Sequence, residues 1–160
     1  MKVTVMRIDE RLIHGQIVTA WIAEAEAKSI IVADDKASKD QMQKMLLEMA
    51  TPPGVTLKIL SLKDASIFIN EDMTEDKTLL IVRGPVEANQ LLEMGITIDK
   101  INVGNICMKK GKKKILSAIW LDDIEAEALK ALSGKGIKLD VRAVPTDRSQ
   151  DAMELIRKHY

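Results

Sequence analysis

Short apolar runs alternate along this chain with longer stretches whose apolar residues recur at helical spacing. Runs that are apolar throughout are typical of strands buried on both faces of a parallel sheet. Because parallel strands need helical crossovers, the alternation predicts an α/β fold: a single-domain, doubly wound and mainly parallel sheet with helices on both faces. The predicted strands are residues 1–8, 29–33, 55–60, 78–82 and 101–103.

Apolar periodicity and capping signals predict the intervening helices. The first begins after His14, and the second places Met42, Met45, Leu46, Met49 and Ala50 on one face. Methionine is flexible and fills irregular gaps, so the nine methionines are expected to fill the core. Further helices are predicted at residues 61–70, 85–94 and 149–158, and after the capping box formed by Asp122 and Glu125.

The pattern weakens in the last third of the chain. Residues 104–111 are predicted to be an irregular loop, and residues 114–121 to be one strand whose direction the sequence does not fix. Residues 137–141 alternate between apolar and polar, which is typical of an edge strand exposed on one face.

Composition excludes several classes of function. A chain of 160 residues suits one domain, residues 1–160. Its 24 basic and 24 acidic side chains balance, so no net charge attracts it to nucleic acid or to an anionic membrane. Aromatic residues make up only 2%, too few for a base-stacking platform. No apolar run has the length of a membrane span, and the single cysteine excludes an internal disulfide framework. We therefore expect a cytoplasmic protein that neither binds nucleic acid nor inserts directly into a membrane.

One of the two histidines, His14, lies in the charged segment between the first strand and the first helix. Ligands of open α/β sheets bind beyond the carboxyl ends of the strands, and a helix N-terminus offers free amides and partial positive charge to an anion. A free imidazole titrates at about pH 6.5, so near neutral pH it can accept and release a phosphoryl group. The alternative is a loop histidine that caps the helix or bonds to a nearby carbonyl.

A phosphoryl group on this imidazole needs positive charge around it. Arg11 and the amides of Gly15 and Gln16 are the candidate stabilisers, and Asp9 is expected to orient Arg7 or Arg11 through a carboxylate pair. The glycine lets an incoming partner and its phosphoryl group approach the backbone closely.

Loops that follow parallel strands share one rim of the sheet. Asp34, Asp35, Arg83 and Gly104 each follow a predicted strand and are therefore candidate members of the same rim. No phosphate-binding glycine motif occurs, and the two histidines are too far apart in the chain to form a recognisable metal site. We predict no metal and no cofactor.

Three further features leave alternatives open. The lysines from Lys109 to Lys114 form either a solvated loop or a docking patch for an acidic surface or phosphate. Lysines behind Cys107 would lower its pKa and make it nucleophilic, whereas a small residue at a half-buried position is the simpler interpretation. His159, near the carboxyl end of the last helix, is interpreted as structural or surface filler.

The run from Arg7 to Ile17, followed by Trp21, resembles the signature of the mannose/sorbose-family IIB component of the bacterial sugar phosphotransferase system. Residues 31–35, 101–104 and 136–145 extend the resemblance along a standalone IIB domain. Two positions depart from the family pattern: Glu10 replaces an aspartate, and residues 104–107 replace a more glycine-rich continuation.

The resemblance implies a doubly wound parallel sheet and a protein-Nπ-phosphohistidine–sugar phosphotransferase. By resemblance, His14 takes a phosphoryl group from the histidine of a phosphorylated IIA protein, on its Nδ1, and passes it to sugar bound by the IIC and IID membrane subunits. Arg11 matches the arginine that steadies that group. The chain would then associate peripherally with the permease, and the sugar cannot be read from the sequence. The competing hypothesis is a non-enzymatic phosphate-sensing or partner-binding regulatory module.

Overall fold

The computed structural model describes residues 1–160 and contains nine strands and six helices. A 3-10 helix, Ala37–Lys39, precedes α2. The elements are β1 Lys2–Asp9, α1 Gly15–Ala25, β2 Ser29–Ala33, α2 Gln41–Ala50, β3 Thr56–Leu60, α3 Leu62–Glu71, β4 Lys77–Val82, α4 Pro85–Glu93, β5 Lys100–Asn105, β6 Lys113–Leu116, β7 Ile119–Leu121, α5 Asp123–Gly134, β8 Lys138–Val141, β9 Gln150–Asp151 and α6 Ala152–His159.

Seven strands form one sheet in the order β3-β2-β4-β1-β5-β8-β9, and every pair in it is parallel except the short β8–β9 pair. Apolar residues alternate between two cores along these strands. Ile30 and Val32 pack with α1 and α2 on one face, whereas Ile31 and Ala33 pack with α3 to α6 on the other. The predicted doubly wound α/β fold is confirmed.

The centre of the sheet is β1, between β4 and β5. The chain leaves β1 toward the face that carries α1, whereas it leaves β4 and β5 toward the opposite face. Neighbouring connections that depart to opposite faces open a crevice at the carboxyl ends of the strands. The segment that carries His14 follows β1 directly and lies at this crevice.

The structure corrects three predictions in the last third of the chain. Residue 104 belongs to β5, because the strand continues to Asn105 rather than ending in a loop. Residues 113–121 form the antiparallel hairpin β6–β7 instead of one strand; its turn at Ser117 and Ala118 lacks the glycine or asparagine that would have signalled it. The strand at residues 137–141, β8, is not the predicted edge strand, because β9 pairs with its outer side. Its Asp140 is buried rather than solvent-facing, and Arg142 and Ser149 donate to the carboxylate.

The apolar face of α2 points away from the core. Met42, Met45, Leu46 and Met49 are 73%, 60%, 60% and 78% exposed, whereas Leu47 on the opposite side is buried. Periodicity shows that residues share a helix face, but it does not show which way the face points. Six of the nine methionines are exposed, so the prediction that they fill the core is wrong for most of them.

None of the six helices combines the length and apolar character needed to cross a membrane.

Candidate functional site

The imidazole of His14 stands free at the start of α1. His14 occupies the N-cap position in an extended conformation, and its exposed side chain makes no capping hydrogen bond. No acceptor or donor elsewhere in the chain bonds to the ring, which removes the alternative of a histidine held by the helix or by a nearby carbonyl. The ring is therefore open to a molecule that approaches from solvent.

The backbone before α1 is bent in a way that the sequence did not reveal. Leu12 has a φ of +61° although it is a bulky, buried residue, and its amide donates to the carbonyl of Asp9 at 2.9 Å. A left-handed conformation at such a residue costs on the order of 1–3 kcal/mol and persists only where packing enforces it. Burial of Leu12 and Ile13 anchors the turn that presents His14.

Gly15 is required for its backbone conformation. Its φ is +43°, a region that side chains disfavour, yet an added Cβ would meet no atom of the chain within 4 Å. Crowding by this chain's own atoms is therefore not the reason for a glycine here. The amides of Gly15 and Gln16 have no acceptor in the chain, as expected in the first turn of a helix.

Asp9 holds two arginines at the end of β1. Its Oδ1 accepts hydrogen bonds from the amide and Nε of Arg11 at 2.9 and 3.2 Å. Its Oδ2 accepts from Nη2 of Arg7 at 3.0 Å and Nη2 of Arg11 at 3.3 Å. The Arg7 and Asp9 side chains are only 3% and 1% exposed, whereas that of Arg11 is 33% exposed. Two guanidinium groups thus share one carboxylate, and the excess positive charge faces solvent through Arg11.

Gly104 makes room for Arg7. A Cβ on this glycine would lie 2.2 Å from Cζ of Arg7, so any side chain would displace the guanidinium. The same guanidinium donates to Oδ1 of Asn102, directly across the sheet. Burial lowers the pKa of Arg7, and the charge of Asp9 partly offsets that effect. Gly104 therefore contributes to the site by leaving space for the buried Arg7 guanidinium, and it does not line the exposed rim.

Trp21 of α1 extends this network. The guanidinium groups of Arg7 and Arg142 lie 5.4 and 5.7 Å from the centroid of its ring. Its Nε1 donates to the carbonyl of Ala143 at 2.9 Å. Asn102 and Arg142 were not predicted as site residues. Asn102 lies on β5 and Arg142 directly follows β8, so both could have been predicted to lie near the carboxyl rim. Nothing in the sequence indicated that they contact Arg7.

A second ion pair lies beside the histidine segment. Arg83, after β4, donates to both carboxylate oxygens of Asp34 at 3.0 and 2.8 Å, and to the carbonyl of Glu10 at 3.3 Å. Burial acts to raise the pKa of Asp34, but bonds from Arg83 and the amide of Ala37 outweigh it, so the pKa falls below its usual value. The hydrogen bond to Asp34 raises the pKa of Arg83.

Asp35 is separate from the histidine. Its Oδ1 accepts from the amide of Leu62 at 2.9 Å, so the carboxylate serves the start of α3 on the other face of the sheet. The structure thus joins Asp34 and Arg83 to the histidine segment through Glu10, and it places Asp35 elsewhere.

The lysine cluster is partly buried. Lys112 is 6% exposed and lies 2.8 Å from Glu125 and 3.6 Å from Glu10, whereas Lys109 is exposed. Burial acts to lower the pKa of Lys112, but Glu125 and Glu10 raise it above its ordinary value. The other four lysines are exposed, as in a solvated loop, whereas Lys112 ties this loop to the histidine segment.

Cys107 lies in the same loop. Burial, followed by the nearby Glu10 carboxylate, raises the pKa of its thiol, and its Sγ bonds to Oδ1 of Asn105 at 3.1 Å. A raised pKa disfavours the thiolate. The neighbouring lysines therefore do not activate this thiol, and Cys107 fits the description of a small, half-buried residue.

A surface cavity lies at the opposite end of the sheet from this chemistry. It holds about 560 Å³ at the amino ends of β2, β3 and β4, beside Lys58 and Phe68. The free imidazole, the unpaired helix amides and the Asp9 arginine group all lie at the opposite, carboxyl rim, so we assign the candidate site there. No group of three histidine, cysteine, aspartate or glutamate side chains is placed to hold a metal ion.

The sequence profile described as PTS system sorbose subfamily IIB component matches residues 3–160. This chain belongs to that family. The resemblance noted from the run around His14 is thereby confirmed, and the chain is a sorbose-type IIB component of the sugar phosphotransferase system.

Individual relatives agree with this assignment. The mannose-specific EIIAB component of Escherichia coli K12 is 36% identical over 159 residues, which cover 99% of this chain and 49% of that protein. The IIB chain thus spans about half the length of this relative. The sorbose-specific EIIB component of Lacticaseibacillus casei is 36% identical over 157 residues, 98% of this chain and 96% of that one.

Solved structures share the whole architecture. The IIBSor domain of the sorbose permease from Klebsiella pneumoniae superposes with a TM-score of 0.94 at 31% identity, covering 99% of this chain and 98% of that domain. A Thermoanaerobacter tengcongensis protein described as manxB gives a TM-score of 0.91 at 26% identity, covering 98% and 96%. The central position of β1 and the helices on both faces are therefore features of the family fold.

Proposed function

We propose that this IIB component is a phosphocarrier enzyme that accepts a phosphoryl group on His14 from a phosphorylated IIA domain. It then transfers the group to a sugar bound by the IIC and IID membrane subunits. The observation that carries the proposal is the free imidazole of His14, which lies beside the unpaired first amides of α1 and three residues after Arg11.

The proposed chemistry conserves the phosphoryl group through two exchanges. In the first, the N–P bond of the donor phosphohistidine breaks as an N–P bond forms on Nδ1 of His14. In the second, that bond breaks as a sugar hydroxyl oxygen bonds to phosphorus, and the hydroxyl proton is released. Transfers of this kind depend on position and charge rather than on covalent assistance from the protein.

The charges at the site suit a temporary holder. Arg11 keeps its position because Asp9 holds its Nε and Nη2, yet the arginine remains one-third exposed and can face a phosphoryl group. A hydrogen bond to a charged group contributes roughly 1.5–3 kcal/mol, and a helix terminus about 0.3–2 kcal/mol. Together these contributions neutralise the added charge without preventing onward transfer.

The names of the relatives support the partners and leave the sugar open. The E. coli relative is named as a joined EIIAB component, which supports a IIA domain as phosphoryl donor. Relatives between 31% and 36% identical are named for mannose, sorbose, fructose and N-acetylgalactosamine. Similarity at this level does not select a sugar. We place the chain in the cytoplasm, peripherally bound to the permease.

The experiment is sugar phosphorylation by membranes that contain matching IIC and IID, supplied with phosphoenolpyruvate, the general phosphotransferase proteins and IIA. We expect His14→Gln to stay folded and to abolish sugar phosphate formation, since glutamine cannot form the phosphohistidine. His159→Gln alters the other histidine, which is exposed on α6, and should retain full activity. Normal activity of His14→Gln would remove His14 from the mechanism and favour a module that binds phosphate or a partner without a covalent intermediate.

A further inference from the structure

The candidate site has two halves that belong to different elements. His14 and the free amides of Gly15 and Gln16 lie at the start of α1, whereas Arg11 is held by Asp9 at the end of β1. A phosphoryl group on the imidazole needs both halves at once. The position of α1 against β1 therefore determines how well the two halves act together.

The side chain that joins α1 to the arginine half is Trp21. It is buried and lies seven residues after His14, which is about 10 Å along the helix axis. The Arg7 guanidinium lies 5.4 Å from the centroid of its ring. Nη2 of Arg7 donates to the Asp9 carboxylate that holds Arg11. One line of contacts thus runs from the indole on α1 to the exposed arginine of the site.

The indole is itself held by the segment that follows β8. Its Nε1 donates to the carbonyl of Ala143 at 2.9 Å, and the Arg142 guanidinium lies 5.7 Å from the ring centroid. Arg142 is in turn fixed by the buried carboxylate of Asp140, which accepts from its Nε at 2.8 Å. A buried indole with a directed hydrogen bond and two cationic neighbours has little freedom to shift.

The other contacts of α1 with the sheet are less directional. Among the side chains of this helix, only that of Trp21 makes a hydrogen bond or a cation–π contact to another element. The remaining side chains that pack into the core are aliphatic: Ile17, Val18, Ile22 and Ala25. Aliphatic burial is non-directional, so it holds a helix on a sheet without fixing its rotation. The contacts of the indole supply that restraint.

We propose that Trp21 is a positioning residue for phosphoryl transfer, which fixes α1, and with it His14, against Arg11. The proposal rests on the proposed function, because it adds a residue to the same site. Trp21 is buried about two turns from the reacting imidazole and acts through Arg7 and Asp9. A misplacement of about 1 Å can slow a reaction on the order of 100-fold, so a smaller shift of α1 should slow transfer about tenfold.

The test uses the two tryptophans of the chain. Trp21→Phe removes the Nε1 donor and weakens the contact with Arg7, but it keeps an aromatic ring in the core. Trp120→Phe is the matched control, because Trp120 lies on β7 and belongs to neither apolar cluster. Each substitution is made in wild type and in Arg11→Ala. Urea denaturation selects conditions in which every variant is fully folded, and single-turnover transfer from phospho-IIA is followed over a range of IIB concentrations.

In wild type, we expect Trp21→Phe to lower the plateau rate about tenfold and to change the half-saturating concentration less than twofold. Trp120→Phe should change neither value more than twofold. In Arg11→Ala, Trp21→Phe should change the plateau rate less than twofold, because no arginine remains to be placed. An unchanged plateau rate in wild type would overturn the proposal. Equal slowing in both backgrounds would also overturn it, since that is the result of a purely structural loss.

A second variant covers the case in which Trp21→Phe does not fold. Arg142→Lys loosens the indole from its other side and keeps a positive charge beside Asp140. We expect it to lower the plateau rate in wild type and to have no further effect in Arg11→Ala. The same slowing in both backgrounds, or in neither, would contradict the proposal.

A measurement without phosphate separates this proposal from the proposed function. Residual dipolar couplings of the α1 amides in the unphosphorylated protein report the orientation of the helix against the sheet. We expect Trp21→Phe to change this orientation and Trp120→Phe to leave it as in wild type. An unchanged orientation would overturn the proposal. A changed orientation in a protein whose wild type takes no phosphate from phospho-IIA would contradict the proposed function and not the placement of α1 by Trp21.

Discussion

Two arginine–aspartate groups flank the histidine segment, and they differ in one respect. Asp34 and Arg83 form a closed pair in which one guanidinium satisfies both oxygens of one carboxylate. Asp9 is shared by Arg7 and Arg11, so that group retains excess positive charge. Both groups lie at carboxyl ends of adjacent strands, yet only the second has charge left for a ligand.

The comparison teaches that the ratio of arginines to aspartates, more than burial, distinguishes the two groups: under the proposed function, only the group with an unpaired positive charge acts on the phosphoryl group. The closed pair links the ends of β2 and β4 to the backbone of Glu10 and so fixes the segment. The open group is held rigidly on its buried side by Arg7 and Asn102 and faces solvent on the other. Four variants break or sharpen this contrast.

Asp9→Ala should have the largest effect. It leaves the guanidinium of Arg7 buried without its carboxylate, and removing one partner of a buried pair costs about 3–5 kcal/mol. We expect a loss of this size in the free energy of unfolding, measured by chemical denaturation, together with slower phosphoryl transfer. Unchanged stability would mean that the buried cluster is not held together by this carboxylate.

Arg11→Ala should slow phosphoryl transfer about 100-fold, which corresponds to about 2.7 kcal/mol, the cost of removing one donor to a developing charge. The fold should persist because the side chain is one-third exposed. The transfer rate from phospho-IIA is measured by rapid quench. Arg11→Lys keeps the positive charge but lacks the planar set of N–H donors, and it should recover part of the rate. A wild-type rate in Arg11→Ala would contradict the assigned role.

Arg83→Met tests the closed pair. We expect a loss of roughly 1–3 kcal/mol in the free energy of unfolding, because the buried carboxylate of Asp34 loses both hydrogen bonds from Arg83 and keeps only the one from the Ala37 amide. Transfer at saturating donor should change less than fivefold. If Arg83→Met slowed transfer as strongly as Arg11→Ala, the distinction between the two groups would be wrong.

The pH dependence of stability is the smallest expected effect. The folded pKa of Asp34 lies below its ordinary value of about 3.9, so its charged form stabilises the fold above about pH 4. That contribution is lost as the pH falls through the folded pKa. We therefore expect the stability difference between wild type and Asp34→Asn to be constant near neutral pH and to shrink below about pH 4. Denaturation curves at several pH values measure it; a difference that grows on acidification would reverse the sign.

Regular elements and the histidine segment could be predicted from sequence for a physical reason. Strands buried on both faces read as continuous apolar runs, and parallel strands bring their following loops to one rim, which placed Asp34 and Arg83 near His14. The hairpin of residues 113–121 was missed because its turn lacks the usual residues. The direction of α2 was missed because local periodicity carries no information about the side that the sheet covers.

The interior of the site was only partly predictable. Asp9, Arg7 and Arg11 are adjacent in sequence, so their pairing was accessible. Asn102, Arg142 and the role of Gly104 depend on contacts between strands that are distant along the chain, which only the assembled sheet creates. The left-handed backbone at Leu12 had no sequence signal, because leucine is not a residue that favours it.

The most direct measurement is intact-mass and phosphopeptide analysis after incubation with phosphoenolpyruvate, the general phosphotransferase proteins and IIA, with His14→Gln in parallel. The account predicts one phosphate that is acid-labile and base-stable, that maps to His14 and that is absent from the variant. No phosphate on wild type although IIA is phosphorylated, or phosphate that persists in His14→Gln, would contradict it.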